Sequence, residues 1–417
     1  MTVPRYFDLS QPAPNGLRRG RSTGACATAA VQAALLLLLR GERVAEVSIR
    51  LPDPSPAQEP TVSGSFRGRK CRVRTAYPAP LAPEGILSHD QFHGSPALYL
   101  RVPVHAVRHW EDGARAEVVK DGGDDPDCTH GAVIFAQVRR NTVGSIRFYA
   151  ASGVGTVTAP GLRVAVGEPA INPVPRRMMA WAVQAVAGSE AGFDLAIGCE
   201  NGVALARKTY NPRLGIVGGI SILGTSGIVE PMSLAAYQAS IEVYIRVALA
   251  AGQGASALLP GKIGAAYGRE SLGLTPRAMV QIANFLGFAV DQVQSALEQG
   301  AGSLDTLWLL GHPGKLAKVL DGHWDTHSSR SAMAMAAIAR EAAAFGLDAE
   351  TAAALARANT VEAMVQPLSA HPAGWEFWLF LEHRIAEAVA QRAPAVPRVA
   401  VRLFDLHGAG LGAALHV

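Results

Sequence analysis

Residues 208–232, KTYNPRLGIVGGISILGTSGIVEPM, constrain the fold more than any other stretch of this chain. Two apolar runs, Ile216-Val217 and Ile220 to Leu223, are broken by Gly215, Gly218 and Gly219 and followed by Gly224 and Gly227. A helical pattern then begins near Ser233. Strand, glycine-rich turn and helix start offer backbone N–H groups and a positive dipole end to a ligand. Tight turns and helix capping are the alternative account of the same residues. No G-x-G-x-x-G follows a strand here, so the dinucleotide fingerprint is absent. Gly218, Gly219, Gly224, Thr225, Ser226 and Gly227 are candidate backbone donors to a nucleoside or carboxylate, and Glu230 a partner for a cation or a ribose hydroxyl.

The chain before this stretch mixes helices and strands. An arginine-rich lead, Arg18, Arg19 and Arg21, precedes Ser22-Thr23-Gly24 and a helix over 25–39 that Gly41 should stop. Its five leucines, 35–39, are too short a run to span a bilayer. Strands are expected over 44–51, 67–75, 116–120, 132–138 and 144–149, with proline-rich connections at 52–60 and 77–83. The prolines of 165–178 lead into a helix over 178–187. From Phe193 the rhythm changes to alternation: strands at 194–198, 220–223, 256–259, 306–310 and 399–404. Helices fall at 233–251, 276–286, 291–299, 331–345, 349–358 and 376–390. The expected fold is an α+β N-terminal domain (1–190) followed by an α/β Rossmann-like C-terminal domain (191–417) with a mostly parallel sheet.

Composition excludes several function classes. A formal charge of +4 over 417 residues gives no footprint for nucleic acid. No segment has the length and apolarity of a membrane span or secretory signal. Cys26, Cys71, Cys128 and Cys199 form no C-x-x-C pair, so neither a disulfide framework nor a zinc site is expected, and a reducing cytoplasm is the default.

The densest polar cluster is KDGGDDPDCTHG, 120–131, with Lys120, Asp121, Asp124, Asp125, Asp127 and His130. It lacks the ligand spacing of a calcium loop. Turn formation explains the Asp and Gly content, and proton handling by Asp124 or His130 is the functional alternative. GHPGKLAK, 311–318, follows a strand without P-loop spacing, yet offers Lys315 to an anion. Thr326-His327-Ser328 follows. With no G-x-S-x-G elbow a serine-hydrolase reading has little support, and no H-E-x-x-H marks a metal site among His312, His323 and His327.

Several long motifs, in order, resemble the CbiD family of cobalt-precorrin-5B C1-methyltransferases: LRRGRSTGACATAA (17–30), KDGGDDPDCTHGA (120–132), GVGTVTAPGL (153–162) and GEPAINPVPR (167–176). They continue as 208–233, GHPGKLAK and the Thr-His-Ser triplet. The resemblance implies methyl transfer from S-adenosylmethionine to C1 of a contracted tetrapyrrole in vitamin B12 synthesis, in the cytoplasm, by a possible homo-oligomer. Because crevices at strand carboxyl ends bind nucleosides, the donor is expected at the glycine turns of the second domain beside Glu230. The many carboxylates of the macrocycle would meet Arg18, Arg19, Arg21, Arg176, Lys208, Arg213 and Lys315. Asp124, His130 and His327 are the candidate catalytic side chains. A corrinoid- or nucleotide-binding homologue without activity is the alternative.

Overall fold

A computed structural model describes residues 4–52, 97–188 and 192–412. The strand expected over 67–75, the loops at 52–60 and 77–83, and Cys71 lie wholly or almost wholly outside them. The chain divides into two compact units, Met1–Thr158 with Arg163–Met232 and Ser233–Val417 with Ala159–Leu162.

The N-terminal unit is built on α1 (Thr23–Arg40), two residues longer at its start than the apolar pattern indicates. Ser22 caps it by accepting the Ala25 N–H, and Gly41, at φ 70°, ends it. α1 is long and apolar enough to cross a membrane, contrary to the reading of its leucines alone, but 72% of that window is buried within the unit. Small residues make this possible: Ala25, Cys26, Ala27, Ala29, Ala30, Val31, Ala33 and Ala34 are all fully buried. Alanine loses no side-chain entropy on burial, and lets neighbouring backbones come close.

Beside α1 lies a five-stranded sheet. Its strands are β3 (Ala106–Trp110), β4 (Gly113–Val119), β5 (Val133–Arg140), β6 (Ile146–Ala150) and β7 (Phe193–Cys199), in spatial order β3-β4-β5-β7-β6. β7 runs antiparallel to β5, with Ile197 opposite Ala136, and parallel to β6. This moves the domain boundary. Sequence rhythm assigned 193–199 to the C-terminal half, but β7 is a central strand of the first sheet. A smaller sheet pairs β1 (Glu46–Arg50) with β2 (Leu98–Pro103). α2 spans Pro173–Ala187 and packs against α1. It starts five residues earlier than expected, because Pro173 and Pro175 fall in its first turn, where a missing N–H costs nothing.

The C-terminal unit holds four parallel strands: β8 (Ala255–Leu259), β9 (Met279–Gln281), β10 (Thr306–Gly311) and β11 (Arg398–Leu403), in order β9-β8-β10-β11. Leu258, Val280, Leu309 and Val401 bury one face among α3 (Leu234–Ala250), α5 (Leu286–Glu298), α6 (Met335–Phe345) and α9 (Gly374–Arg392). Ala257, Leu259 and Leu310 turn to the other face. There α4 (Ala265–Glu270) contributes Tyr267 and Ala265. Each fully buried leucine or valine contributes about 1.5–3 kcal/mol. The parallel sheet is as expected, but 276–286 contains β9 where a helix was expected. α4, α7 (Ala349–Arg357) and α8 (Glu362–Ala370) complete the helices discussed below; α8 carries Pro367 within it.

Glu382 of α9 is the most deeply buried of this unit's buried charges, beside Glu341 and Lys318. Its Oε1 accepts the Leu403 N–H at 2.8 Å, and Arg402 Nη1 lies 3.5 Å from Oε2. Burial outweighs both and pushes the carboxyl up to about 7. A carboxyl whose pKa is higher folded than unfolded binds more protons in the folded state between the two values. Stability should therefore fall as pH rises from about 4.3 to 7 and level off above. Glu382→Gln should flatten that slope in urea unfolding measured across the window; an unchanged slope would mean another group causes it.

Candidate functional site

Three of the motifs singled out in the sequence meet at the start of α1. The lead segment runs alongside 120–124: Arg21 N–H donates to Asp121 O, and Asp124 N–H to Arg18 O. On the other side, Gly20 and Arg21 pair antiparallel with Val229 and Ile228. Side chains stitch the same segments. Arg18 Nη1 meets Asp121 Oδ2 at 2.7 Å, Arg19 Nε meets Glu230 Oε1 at 2.6 Å, and Met232 N–H donates to Asp125 Oδ1 at 3.0 Å.

Glycine permits this convergence. A Cβ on Gly20 would strike the backbone of Gly122, one on Gly123 the carbonyl of Arg18, and one on Gly219 the carbonyl of Gly153. Gly224 lies against Ser22, and Gly227 against Leu51. Of the candidate nucleoside-binding glycines, Gly218 has open space around it, at φ 94°. The amides at the start of α1 are also taken, Gly24 N–H by Leu223 O and Ala25 N–H by Ser22 Oγ. Leu223 N–H donates to Thr23 Oγ1 at 2.8 Å. Thr225 and Ser226 are exposed, and Ser226 Oγ closes a local turn with Ile228.

The placement of these glycines differs from expectation. Residues 215–227 belong to the N-terminal unit, not to the parallel-sheet unit. In place of a strand over 220–223, two-residue strands Ile216–Val217 and Gly219–Ile220 pair with Thr156–Val157 and Gly153–Val154. The helix start at Leu234 falls in the other unit.

Most of the candidate cations are already engaged. Arg18 and Arg19 are neutralised by Asp121 and Glu230. Arg21 is mostly buried, Nη2 3.9 Å from Asp121 and Nε without a hydrogen-bond partner. Arg176 binds its own loop, through Glu168, Pro169 O and Ile171 O. Arg213 lies over Tyr210, its guanidinium carbon 5.4 Å from the ring centre. Lys208 is exposed and makes no ion pair with any described residue.

Asp124 Oδ2 accepts the Arg18 N–H at 2.7 Å, so it positions the lead segment. His130 Nδ1 accepts the Gly122 N–H at 3.1 Å, which leaves the hydrogen of a neutral ring on Nε2. Lys120 is the deepest charge here, 1% exposed, its Nζ 2.6 Å from Asp127 Oδ2. Thr129 donates to Asp127 Oδ1 through both N–H and Oγ1. Burial alone would raise the Asp127 pKa, but Lys120 and Thr129 together hold it below the ordinary carboxylate range.

His327 and Lys315 lie in the C-terminal unit, beyond the carboxyl ends of its strands. After β9, Asn284 O accepts Thr326 N–H at 3.0 Å, and Asn284 Nδ2 donates to Asp325 Oδ1 at 2.7 Å. Lys318, buried, donates to Thr326 O and Ser331 Oγ. The GHPGKLAK and Thr-His-Ser motifs are thus one structure. His312 Nδ1 accepts Gly314 N–H and its Nε2 meets Glu362 Oε2 of α8 at 2.9 Å. His327 Nδ1 accepts Ser329 N–H in the same way. Asn284 and Lys318 escaped the sequence reading. The available signal for Lys318 was its spacing of three from Lys315, which places both on one side of a helical turn.

Comparison with known proteins follows the same motifs. A family model described as CbiD matches residues 10–74 and 92–231, and one described as CbiD, C-terminal domain, matches 325–414. A cobalt-precorrin-5B C(1)-methyltransferase of Ralstonia nicotianae is 53% identical over 98% of this chain and 97% of its own length. One of Chromobacterium violaceum is 51% identical over 99% of both.

The chain belongs to the CbiD family.

A solved cobalamin biosynthesis protein (cbiD) from Archaeoglobus fulgidus is 22% identical, covering 76% of this chain and 85% of that one, with a TM-score of 0.35. In this CbiD-family chain the Lys120–Asp127 pair tests the first motif cluster. Asp127→Asn strands a buried ammonium and should cost about 3–5 kcal/mol in urea unfolding at pH 7. Because the folded pKa of Asp127 is depressed, its stabilisation is present above about pH 4 and lost as pH falls further. The variant should therefore differ least from the parent in acid; an equal deficit at all pH values would refute the ionic account.

Proposed function

We propose that this chain transfers a methyl group from S-adenosylmethionine to C1 of cobalt-precorrin-5B, forming cobalt-precorrin-6A in vitamin B12 synthesis in the cytoplasm. The observation that carries the reading is identity above 50% to two enzymes of that name along nearly the entire chain. Every motif that carried the resemblance in the sequence lies within the described residues and is held by hydrogen bonds within the chain.

S-adenosylmethionine supplies an activated methyl group when bound, so the protein's task is chiefly to position donor and acceptor. Orientation of this kind is worth about 7–11 kcal/mol in favourable cases. Lys208 and Arg213 are exposed cations of the N-terminal unit's motifs that form no ion pair with any described residue, and they suit the acetate and propionate groups of a tetrapyrrole. Arg18 and Arg19 hold Asp121 and Glu230, and serve the site by fixing the loops that carry those carboxylates. His130, with its hydrogen on Nε2, has a hydrogen bond to give to an anionic group. The parallel sheet of the other unit, helices on both faces, is the Rossmann-like element of this reading.

Incubation with methyl-labelled S-adenosylmethionine and the precorrin-5-stage macrocycle should place label on ring carbon C1. A ring that stays unlabelled would overturn the function. Lys208→Glu should weaken macrocycle binding about five-fold or more, as expected for an exposed ion pair replaced by repulsion, and leave S-adenosylhomocysteine binding unchanged. Equal macrocycle affinity would remove Lys208 from the acceptor site.

A further inference from the structure

We infer that the methyl donor binds at the carboxyl edge of the parallel sheet, over residues 260–264 and against Lys315, and not at the glycine turns of residues 218–227. The inference rests on the methyltransferase reading and adds to it the location of the donor.

Topology supplies the first argument. In the order β9-β8-β10-β11, the chain leaves β8 for β9 on one side, then crosses to β10 on the other. The loops after β8 and β10 therefore part in opposite directions, and an open parallel sheet has its crevice at such a point. They lead into Pro260-Gly261-Lys262-Ile263-Gly264 and into His312, which caps a single helical turn, Pro313–Leu316, carrying Lys315.

The glycines supply the second. Gly264, at φ 85°, makes the turn, with Leu310 Cβ 2.8 Å from where its own Cβ would stand. Gly268 lets α4 settle on Met279, whose Sδ would lie 2.7 Å from a Cβ there. Gly261 does neither. Among the described glycines it alone has no left-handed φ and no atom within 4 Å of its Cβ position. No internal demand keeps that position bare, while a ligand lying on the backbone would. The three positions perform the duties of the glycines in a dinucleotide-binding turn, namely turn, close approach and helix packing, at a different spacing. The glycines of 219–227, by contrast, are filled by the protein's own backbone and side chains.

Charge supplies the third. Lys315 Nζ reaches across from the β10 loop to Pro260 O at 3.2 Å, and neither it nor Lys318 forms an ion pair with any described residue. Glu362 is engaged by His312, and Asp325 by Asn284 and Arg330. A carbonyl is a weak partner for an ammonium, and the α-carboxylate of the donor is a better one. Lys262, exposed on the facing loop, adds a second positive charge.

Binding of S-adenosylhomocysteine to the full chain, measured by calorimetry, tests this without turnover. Gly261→Val and Lys315→Glu should each lower affinity ten-fold or more with melting temperatures near that of the parent, since both positions face open space or solvent. Lys262→Gln should lower it less. Parent-like affinity in Gly261→Val and Lys315→Glu, with label still reaching the ring, would overturn the placement and leave the methyltransferase reading standing. A parent protein that neither binds S-adenosylhomocysteine nor labels the ring would overturn both. Tighter binding of ADP than of S-adenosylhomocysteine at these residues would make this a nucleotide site and also overturn the inference.

Discussion

Everything in the N-terminal unit depends on backbone lying directly against backbone at the start of α1. Gly20 against Gly122, Gly123 against Arg18, and Gly219 against Gly153 are contacts that no Cβ fits. The first two bring segments more than a hundred residues apart in the chain close enough for short hydrogen bonds such as Arg18 N–H to Asp124. The ion pairs Arg18–Asp121 and Arg19–Glu230 follow from that closeness. As exposed or half-exposed pairs they add only about 0–1 kcal/mol each. The buried Lys120–Asp127 pair is different: its removal by halves is costly because the loop folds around it.

Local pattern disclosed most of the helices and the parallel sheet. Ser22 and Gly41 delimit α1 as capping chemistry requires, and alternating apolar runs locate β8, β10 and β11. What escaped is what tertiary contact decides. Phe193–Cys199 is equally apolar as a central strand of either unit, and only its pairing with Val133–Arg140 assigns it. Met279–Gln281 sits in a helix-compatible stretch and becomes a strand because β8 pairs with it.

The candidate site was legible as motifs, whereas the contacts its side chains make within the chain were not. Arginines near a carboxylate-rich substrate look like clamps, but Asp121, Glu230 and Glu168 reach Arg18, Arg19 and Arg176 first. Residue type gives no indication of which charges the fold consumes. Glycine has the same ambiguity. Clustering drew attention to 215–227, where at Gly219, Gly224 and Gly227 the absent Cβ makes room for the protein itself, while Gly261 leaves its space empty.

Histidine geometry narrows the chemistry further. His130, His312 and His327 each accept a backbone N–H at Nδ1. In the neutral ring the hydrogen then resides on Nε2. His312 spends it on Glu362. For His130, Nε2 is then a donor, so in this arrangement its ring has no lone pair facing outward to remove a proton, while His327 Nδ1 also lies 2.7 Å from Ser329 Oγ. Serving as a base would require breaking the Nδ1 bond that holds the ring in place. His130 is in this arrangement better suited to binding negative charge than to abstracting protons. In the proposed reaction, whose methyl group would arrive already activated, recognition of anionic groups is the main demand on such a side chain.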